Sequence, residues 1–168
     1  AVDRSAARLE RLEQNMERLG FAPRVVEADV SKWRPESLAD VVMLDAPCSS
    51  TGTARRHPDV LWSKSETDIA QLAIVQKRMI SAAAQSVAPG GLLIFATCSL
   101  QPEEGIDQVP PFLDAHPAFQ FEPLTVGEVH GLAETLTPNG CFRSLPCHFP
   151  DHGGMDGFFA ARFRRQKG

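Results

Sequence analysis

The sequence predicts an α/β fold built on a parallel sheet, and three observations carry that expectation. Apolar, β-rich runs alternate with amphipathic helical stretches through the first hundred residues. Two of the runs, 40–45 and 92–96, are apolar almost throughout, as strands covered on both faces are. Asp3, Asp29, Asp45 and Cys98 each fall at or just past the carboxyl end of a predicted strand, where such sheets hold their ligands.

Each element has its own signal. Residues 1–2 read as the end of a strand, with Asp3 just ahead of a helix. Residues 5–19 place Leu9, Leu12, Met16 and Leu19 at steps of three and four, an amphipathic helix for which Gly20 is a natural stop. Residues 24–28 are β-rich and end at Asp29; a polar stretch with Trp33 and Pro35 follows. After the strand at 40–45 and a long polar loop, Ser65 and Asp68 form a capping-box pattern. The helix it opens carries Ile69, Leu72, Ile74, Val75, Met79 and Ile80 towards Val87, and Pro89-Gly90-Gly91 is expected to end it. A second buried strand at 92–96 follows. Residues 103–114 suit a helix that Pro110-Pro111 should kink or interrupt. Residues 119–122 alternate like a strand, and 141–145 with 158–163 read as a closing hairpin.

With 168 residues, 43 % hydrophobic and 23 % charged, the chain suits a single globular domain, residues 1–168. No apolar run approaches the roughly 20 residues of a membrane span, and no signal peptide is visible, so a cytoplasmic setting is expected. In that setting four cysteines suggest free thiols, ligands or nucleophiles rather than a disulfide framework. The net charge of −4 argues against a dedicated nucleic-acid binder, although Arg55-Arg56-His57 and the C-terminal Arg162, Arg164, Arg165 and Lys167 form basic clusters. The chain opens without methionine or lead-in, which marks it as the expected fragment of a longer protein.

The stretch VMLDAPCSSTG (42–52) ends an apolar run in a carboxylate followed at once by Pro47 and Cys48, and LLIFATCSL (92–100) repeats the design with Cys98. A thiol attacks as thiolate, which needs partial exposure and a positive or hydrogen-bonding neighbourhood, and a strand-end loop supplies both. One such cysteine alone is better read as a small buried hydrophobe; two, one beside an acid, favour chemistry. Asp3 suits a ribose-binding acid or a helix N-cap, and Asp29 a ligand contact or a turn cap. Cys141, Cys147, His148 and His152 offer zinc-type ligands, but their spacing departs from the close-paired knuckle and no metal is expected. Gly-x-Ser-x-Gly, Gly-x-Gly-x-x-Gly and Walker patterns are absent from the sequence.

DAPCS (45–49), TCSL (97–100) and GMDGFF (154–159) resemble the signature blocks of the Sun-type (Fmu-type) RNA cytosine-5 methyltransferases, in the bacterial branch that modifies 16S rRNA. AVDRSAARLERLEQNMERLG (1–20) is similar to that family's second cofactor-binding segment. The resemblance runs over nearly the whole chain. It implies a Rossmann-like class I methyltransferase sheet, mostly parallel with a C-terminal antiparallel hairpin, and S-adenosylmethionine as cofactor. It implies further that Cys98 adds to C6 of cytosine, that Cys48 assists breakdown of the adduct, and that Asp45 holds the pyrimidine edge. In DNA cytosine-5 enzymes the Pro-Cys cysteine attacks instead, so chemistry alone does not divide the roles. By the same resemblance Asp3 binds the cofactor's ribose, Asp29 lies near its adenine, and Asp45 and Pro47 border it. Charge alone suggests Arg55, Arg56 and Arg162 as RNA phosphate contacts.

The resemblance also implies what is missing: a glycine-rich first cofactor motif with its strand, and an N-terminal RNA-binding region. Where the family often has Asn after the acidic pair, Gly105 follows Glu103-Glu104. This piece alone is therefore expected to bind cofactor weakly, to turn over little, and to expose sheet edges that invite strand exchange or dimerisation. The alternatives are another S-adenosylmethionine enzyme, such as a DNA cytosine-5 or amino-group methyltransferase, and an inactive RNA-binding or assembly module.

Overall fold

The strand and helix order of the computed structural model, which describes residues 1–167, follows the expected alternation. The chain divides into two compact units at Ser37/Leu38. In the first, strand β1 (Val2–Asp3) leads into helix α1 (Ala6–Arg18) and pairs in parallel with β2 (Val26–Glu27). Helix α1 buries Leu9 and ends where Gly20 takes a φ of +77°, a conformation open to glycine without steric cost.

The second unit holds a five-stranded sheet in the order β3-β4-β7-β5, with β6 also paired to β7. Strands β3 (Ala39–Asp45) and β4 (Val87–Thr97) run in parallel, with Asp45 beside Ala96. Between them lie a short helix α2 (Val60–Ser63) and the long helix α3 (Glu66–Ala84), which opens on the expected capping box of Ser65 and Asp68. Helix α4 (Val109–Ala115) then precedes β5 (Phe119–Phe121), β6 (Phe142–Ser144) and β7 (Phe158–Arg165). The core gathers Leu44, Ile80, Ala83, Val87, Leu93, Phe95, Phe112, Phe159 and Phe163 between α3, α4 and one sheet face. Among the described residues no helix is long and apolar enough to cross a membrane.

Four expectations are corrected. The sheet is mixed rather than mostly parallel: β7 takes β4, β5 and β6 as antiparallel partners, because it returns along the middle of the sheet. Strand β3 is covered on one face only. Val42 and Leu44 face the core against Ile80, Ala83 and Ala84 of α3, whereas Val41 and Met43, on the opposite face, are 54 % and 69 % exposed. Helix α3 stops at Ala84 and leaves Ile74 exposed. Pro89-Gly90-Gly91 sit inside β4, where the pairing jumps from Ala39↔Val87 to Val41↔Leu92; a Cβ on Gly91 would lie 2.8 Å from the Asp40 carbonyl oxygen. Finally, Pro110 and Pro111 do not interrupt a helix but occupy the first turn of α4, where their missing N–H groups cost nothing.

Candidate active site

The parallel register of β3 and β4 brings their carboxyl ends level, so the two cysteine loops leave the sheet side by side. Ala46 N–H continues the ladder to the Ala96 carbonyl at 2.9 Å. Beyond it the loops are stitched together: Gly52 N–H donates to the Cys98 carbonyl at 2.9 Å, and Leu100 N–H donates to Thr51 Oγ1 at 2.9 Å. The third signature block joins them through Gly157 N–H, which donates to the Gly52 carbonyl at 2.7 Å. Close approach there depends on glycine, because a Cβ on Gly52 would fall 2.0 Å from the Gly157 carbonyl oxygen.

This stitching places Cys48 Sγ 3.4 Å from Cys98 Sγ. Both cysteines are half-buried, and neither is in a disulfide. Ser50 Oγ lies 3.5 Å from Cys98 Sγ, on a residue whose φ of 60° is left-handed, a conformation uncommon for a side chain other than glycine. Cys98 is the more acidic partner. A hydrogen bond from the Cys48 thiol brings it down to about 6, against the opposing pull of burial, and the Ser50 hydroxyl adds to the effect. Cys48, which does the donating, is held protonated well above the ordinary cysteine range. Asp45, at the end of β3, is pushed up by burial of its carboxyl, and its charge opposes ionisation of Cys98. The arrangement can therefore present one thiolate and one thiol to the same ligand atom, with a carboxyl group close by.

A buried polar cluster lies beneath the loops. Ser49, Ser99, Glu104 and Gln76 are each no more than 1 % exposed. Gln76 of α3 donates through Nε2 to the Pro47 carbonyl at 2.9 Å, which ties the Asp-Ala-Pro-Cys turn to the helix. Arg143 of β6 is half-buried, donates to the Ser99 carbonyl at 3.1 Å and to the Leu100 carbonyl, and has its pKa drawn down by burial. None of these was singled out from the sequence as part of the site. Gln76 carried one usable signal: it sits four residues from Leu72 and from Ile80, a polar residue on an apolar stripe.

Asp3 and Asp29 belong to the first unit. Asp3 Oδ1 accepts from Ser5 N–H at 2.8 Å and from Arg8 at 2.7 Å, and the Arg8 hydrogen bond lowers its pKa. Asp29 Oδ1 accepts from Ser31 N–H at 2.9 Å and Ser31 Oγ at 2.7 Å, the latter being the main cause of its lowered pKa. Both carboxylates use one oxygen locally. Among the described residues, Oδ2 of each takes no hydrogen bond.

The arginines differ from one another. Arg56 binds Asp156 of the GMDGFF block, with Nε at 2.8 Å from Oδ2, and Arg55 stands 3.6 Å from Oδ1; their side chains remain 55 % and 42 % exposed. Arg162 is instead built into the fold: it bonds Glu128 at 2.6 Å and Glu122 at 3.3 Å, and only 17 % of its side chain is exposed. Arg164 is likewise paired with Glu122, and Arg165 donates to the Val87 carbonyl. Cys141 is buried and Cys147 exposed, and among the described residues no cluster of three or more His, Cys, Asp or Glu could hold a metal ion.

A mixed sheet with one acid and two thiols at or just past its parallel strand ends, and helices between its strands, is a class I methyltransferase-like fold. The N-methyltransferase NodS from Bradyrhizobium japonicum WM9, solved in complex with S-adenosyl-L-homocysteine, shares the fold at 14 % identity and a TM-score of 0.52 over 98 % of this chain and 64 % of that one. The chain belongs to the family described as 16S rRNA methyltransferase RsmB/F, which matches residues 1–164. It is similar to ribosomal RNA small subunit methyltransferase B of Salmonella newport (strain SL254), 39 % identical over 165 residues, 96 % of this chain and 35 % of that protein. The chain thus spans about a third of the length of the curated relatives it matches. The crystal structure of PH0851 aligns over 98 % of this chain and 36 % of that one, with a TM-score of 0.84 and 32 % identity. That of NSun6 from Pyrococcus horikoshii with SFG aligns over 100 % and 41 %, with a TM-score of 0.78 and 28 % identity.

Proposed function

We propose that this chain supplies the two-cysteine centre of an RNA cytosine-5 methyltransferase acting on ribosomal RNA, with Cys98 as the nucleophile. The observation that carries the reading is the 3.4 Å contact between Cys48 and Cys98 at the level ends of two parallel strands, with Cys98 the more acidic of the pair. Membership of the RsmB/F family and likeness to the small subunit methyltransferase of Salmonella support the substrate class.

In this reading the Cys98 thiolate forms a bond to C6 of cytosine, and the electron pair of the C5–C6 double bond moves to C5. Asp45 hydrogen-bonds the pyrimidine edge as charge develops. S-adenosylmethionine, when bound, supplies the methyl group that C5 takes up. Transfer of the C5 proton to solvent water restores the double bond as the Sγ–C6 pair returns to Cys98 Sγ, and the Cys48 thiol, already directed at Cys98, assists that departure by hydrogen-bonding the leaving thiolate. A free Oδ2 on each suits a ligand's polar edge, so Asp3 is proposed to bind the cofactor's ribose and Asp29 to lie near its adenine. Arg55 and Arg56, about half exposed, are the proposed RNA phosphate contacts. Arg162, with its donors engaged by Glu122 and Glu128, contributes to packing instead.

The test is covalent trapping in the full-length protein with RNA that carries 5-fluorocytidine, whose C5 fluorine blocks the elimination. An adduct lost in Cys98→Ala and retained in Cys48→Ala is expected. The opposite pattern would exchange the two roles, and no adduct in the wild type would sink the mechanism.

A further inference from the structure

Glu104 is fully buried, and every group its carboxylate meets is a donor. Oε1 accepts from Ser49 N–H at 2.9 Å and from Gln76 Nε2 at 3.1 Å. Oε2 accepts from the hydroxyls of Ser49 and Ser99, each at 2.5 Å. The residues on either side of this carboxylate are not arbitrary: Ser49 follows Cys48, and Ser99 follows Cys98. The two hydroxyls lie 3.1 Å apart. Glu104 is itself held in place, since its carbonyl accepts from Thr97 Oγ1 at 3.0 Å and its N–H donates to the Gln101 carbonyl at 3.2 Å. A buried carboxylate is tolerated only when donors replace its water, and here the donors come from both cysteine loops and α3 at once.

We propose that Glu104 is a positioning residue that clamps the Cys48 and Cys98 loops together and so sets the 3.4 Å contact between their sulfurs. It touches neither sulfur and takes no part in bond making. Its action runs through Ser49 and Ser99, each one peptide unit from a reactive side chain. A carboxylate suits this place because a single pair of oxygens accepts four hydrogen bonds, two of them sharing Oε2, which a hydroxyl or an amide does not reproduce. With the clamp removed, the loops remain tethered by the Gly52–Cys98 and Leu100–Thr51 bonds, so the fold has other support while the sulfur geometry loses its tightest link.

The inference rests on the two-cysteine reading for its consequence in turnover, yet it is tested without RNA or cofactor, so the two can fail separately. In the 168-residue chain, dibromobimane bridges two thiols only when they are close, and peptide-resolved iodoacetamide labelling across pH reports the ionisation of Cys98. The wild type is expected to be bridged at Cys48–Cys98, with Cys98 labelling rising through about pH 6. Glu104→Ala is expected to drop bridging to the level of a Cys48→Ala control and to move the Cys98 midpoint towards the ordinary cysteine value of about 8.5. The milder Ser99→Ala, with less risk to folding, is expected to shift both readouts in the same direction. A merely structural role would lower the melting temperature of Glu104→Ala and leave both thiol readouts where they are. Wild-type bridging and midpoint in folded Ser99→Ala or Glu104→Ala would overturn the proposal, as would a wild type that shows neither.

Discussion

Gly52 and Gly157 meet backbone to backbone: Gly157 N–H donates to the Gly52 carbonyl at 2.7 Å, and a Cβ on Gly52 would lie 2.0 Å from the Gly157 carbonyl oxygen. The clash is with backbone atoms, which no side-chain rotation relieves. Gly52→Ala is expected to cost about 3 kcal/mol of stability, the upper end for overpacking. Urea denaturation of the two proteins checks it; a midpoint within error of the wild type would contradict the contact.

The Cys98 thiolate gives a second prediction, with its sign fixed by the contact from Cys48. Cys98 ionises at about 6 in the folded chain, below an unfolded value of about 8.5. Its contribution to stability is therefore fully present above pH ~8.5 and is lost as pH falls through about 6. Reactivity follows the same ionisation, so alkylation of Cys98 should rise through about pH 6. Cys48→Ala removes the donor and should carry that midpoint upward. Thiolate absorbance near 240 nm, followed during a pH titration, measures both.

Gln76 offers a third. Gln76→Leu keeps the volume in the core of α3 but strips donors from the Pro47 carbonyl and from Glu104 Oε1. Leaving buried acceptors short of partners is expected to cost about 1–3 kcal/mol. A variant as stable as the wild type in chemical denaturation would contradict a net contribution from those bonds beyond the unpartnered Gln76 Oε1 that the substitution also removes.

Glu128 provides a pH-dependent prediction away from the cysteines. Its hydrogen bond with Arg162, aided by Thr125, holds it down to about 2, below a usual value of about 4.3. Because the folded value is the lower one, the contribution exists above pH ~4.3 and disappears as pH falls towards about 2. The stability gap between wild type and Glu128→Gln should be level above pH ~5 and should close below it. High salt should narrow the gap at neutral pH, since the Glu128 carboxylate stands in solvent.

Much of the site was legible because its residues sit on strong local patterns. The apolar runs 40–45 and 92–96 located the two strands, and Cys48 and Cys98 lie within three residues of those ends. Glu104, Ser49, Ser99 and Gln76 escaped for the opposite reason: their meaning arises from contacts across 5 to 55 positions, which no window of sequence displays. Charge alone makes Arg162 a candidate RNA phosphate contact, and only the placement of β7 beside β5 reveals Glu122 and Glu128 as its partners. Pro89-Gly90-Gly91 misled because a local rule for helix termination cannot distinguish a stop from a bulge within the next strand.

Ser50 holds a left-handed turn two residues past Cys48 and sets its hydroxyl 3.5 Å from Cys98 Sγ. Glycine at that position would relieve a conformational cost of about 1 kcal/mol while deleting the hydroxyl. Selection for heat resistance alone would therefore steer Ser50 towards glycine and make the Cys98 thiol less acidic in the same stroke. Directed evolution of this chain needs a reactivity screen alongside a thermal one, because at this single position the two objectives pull in opposite directions.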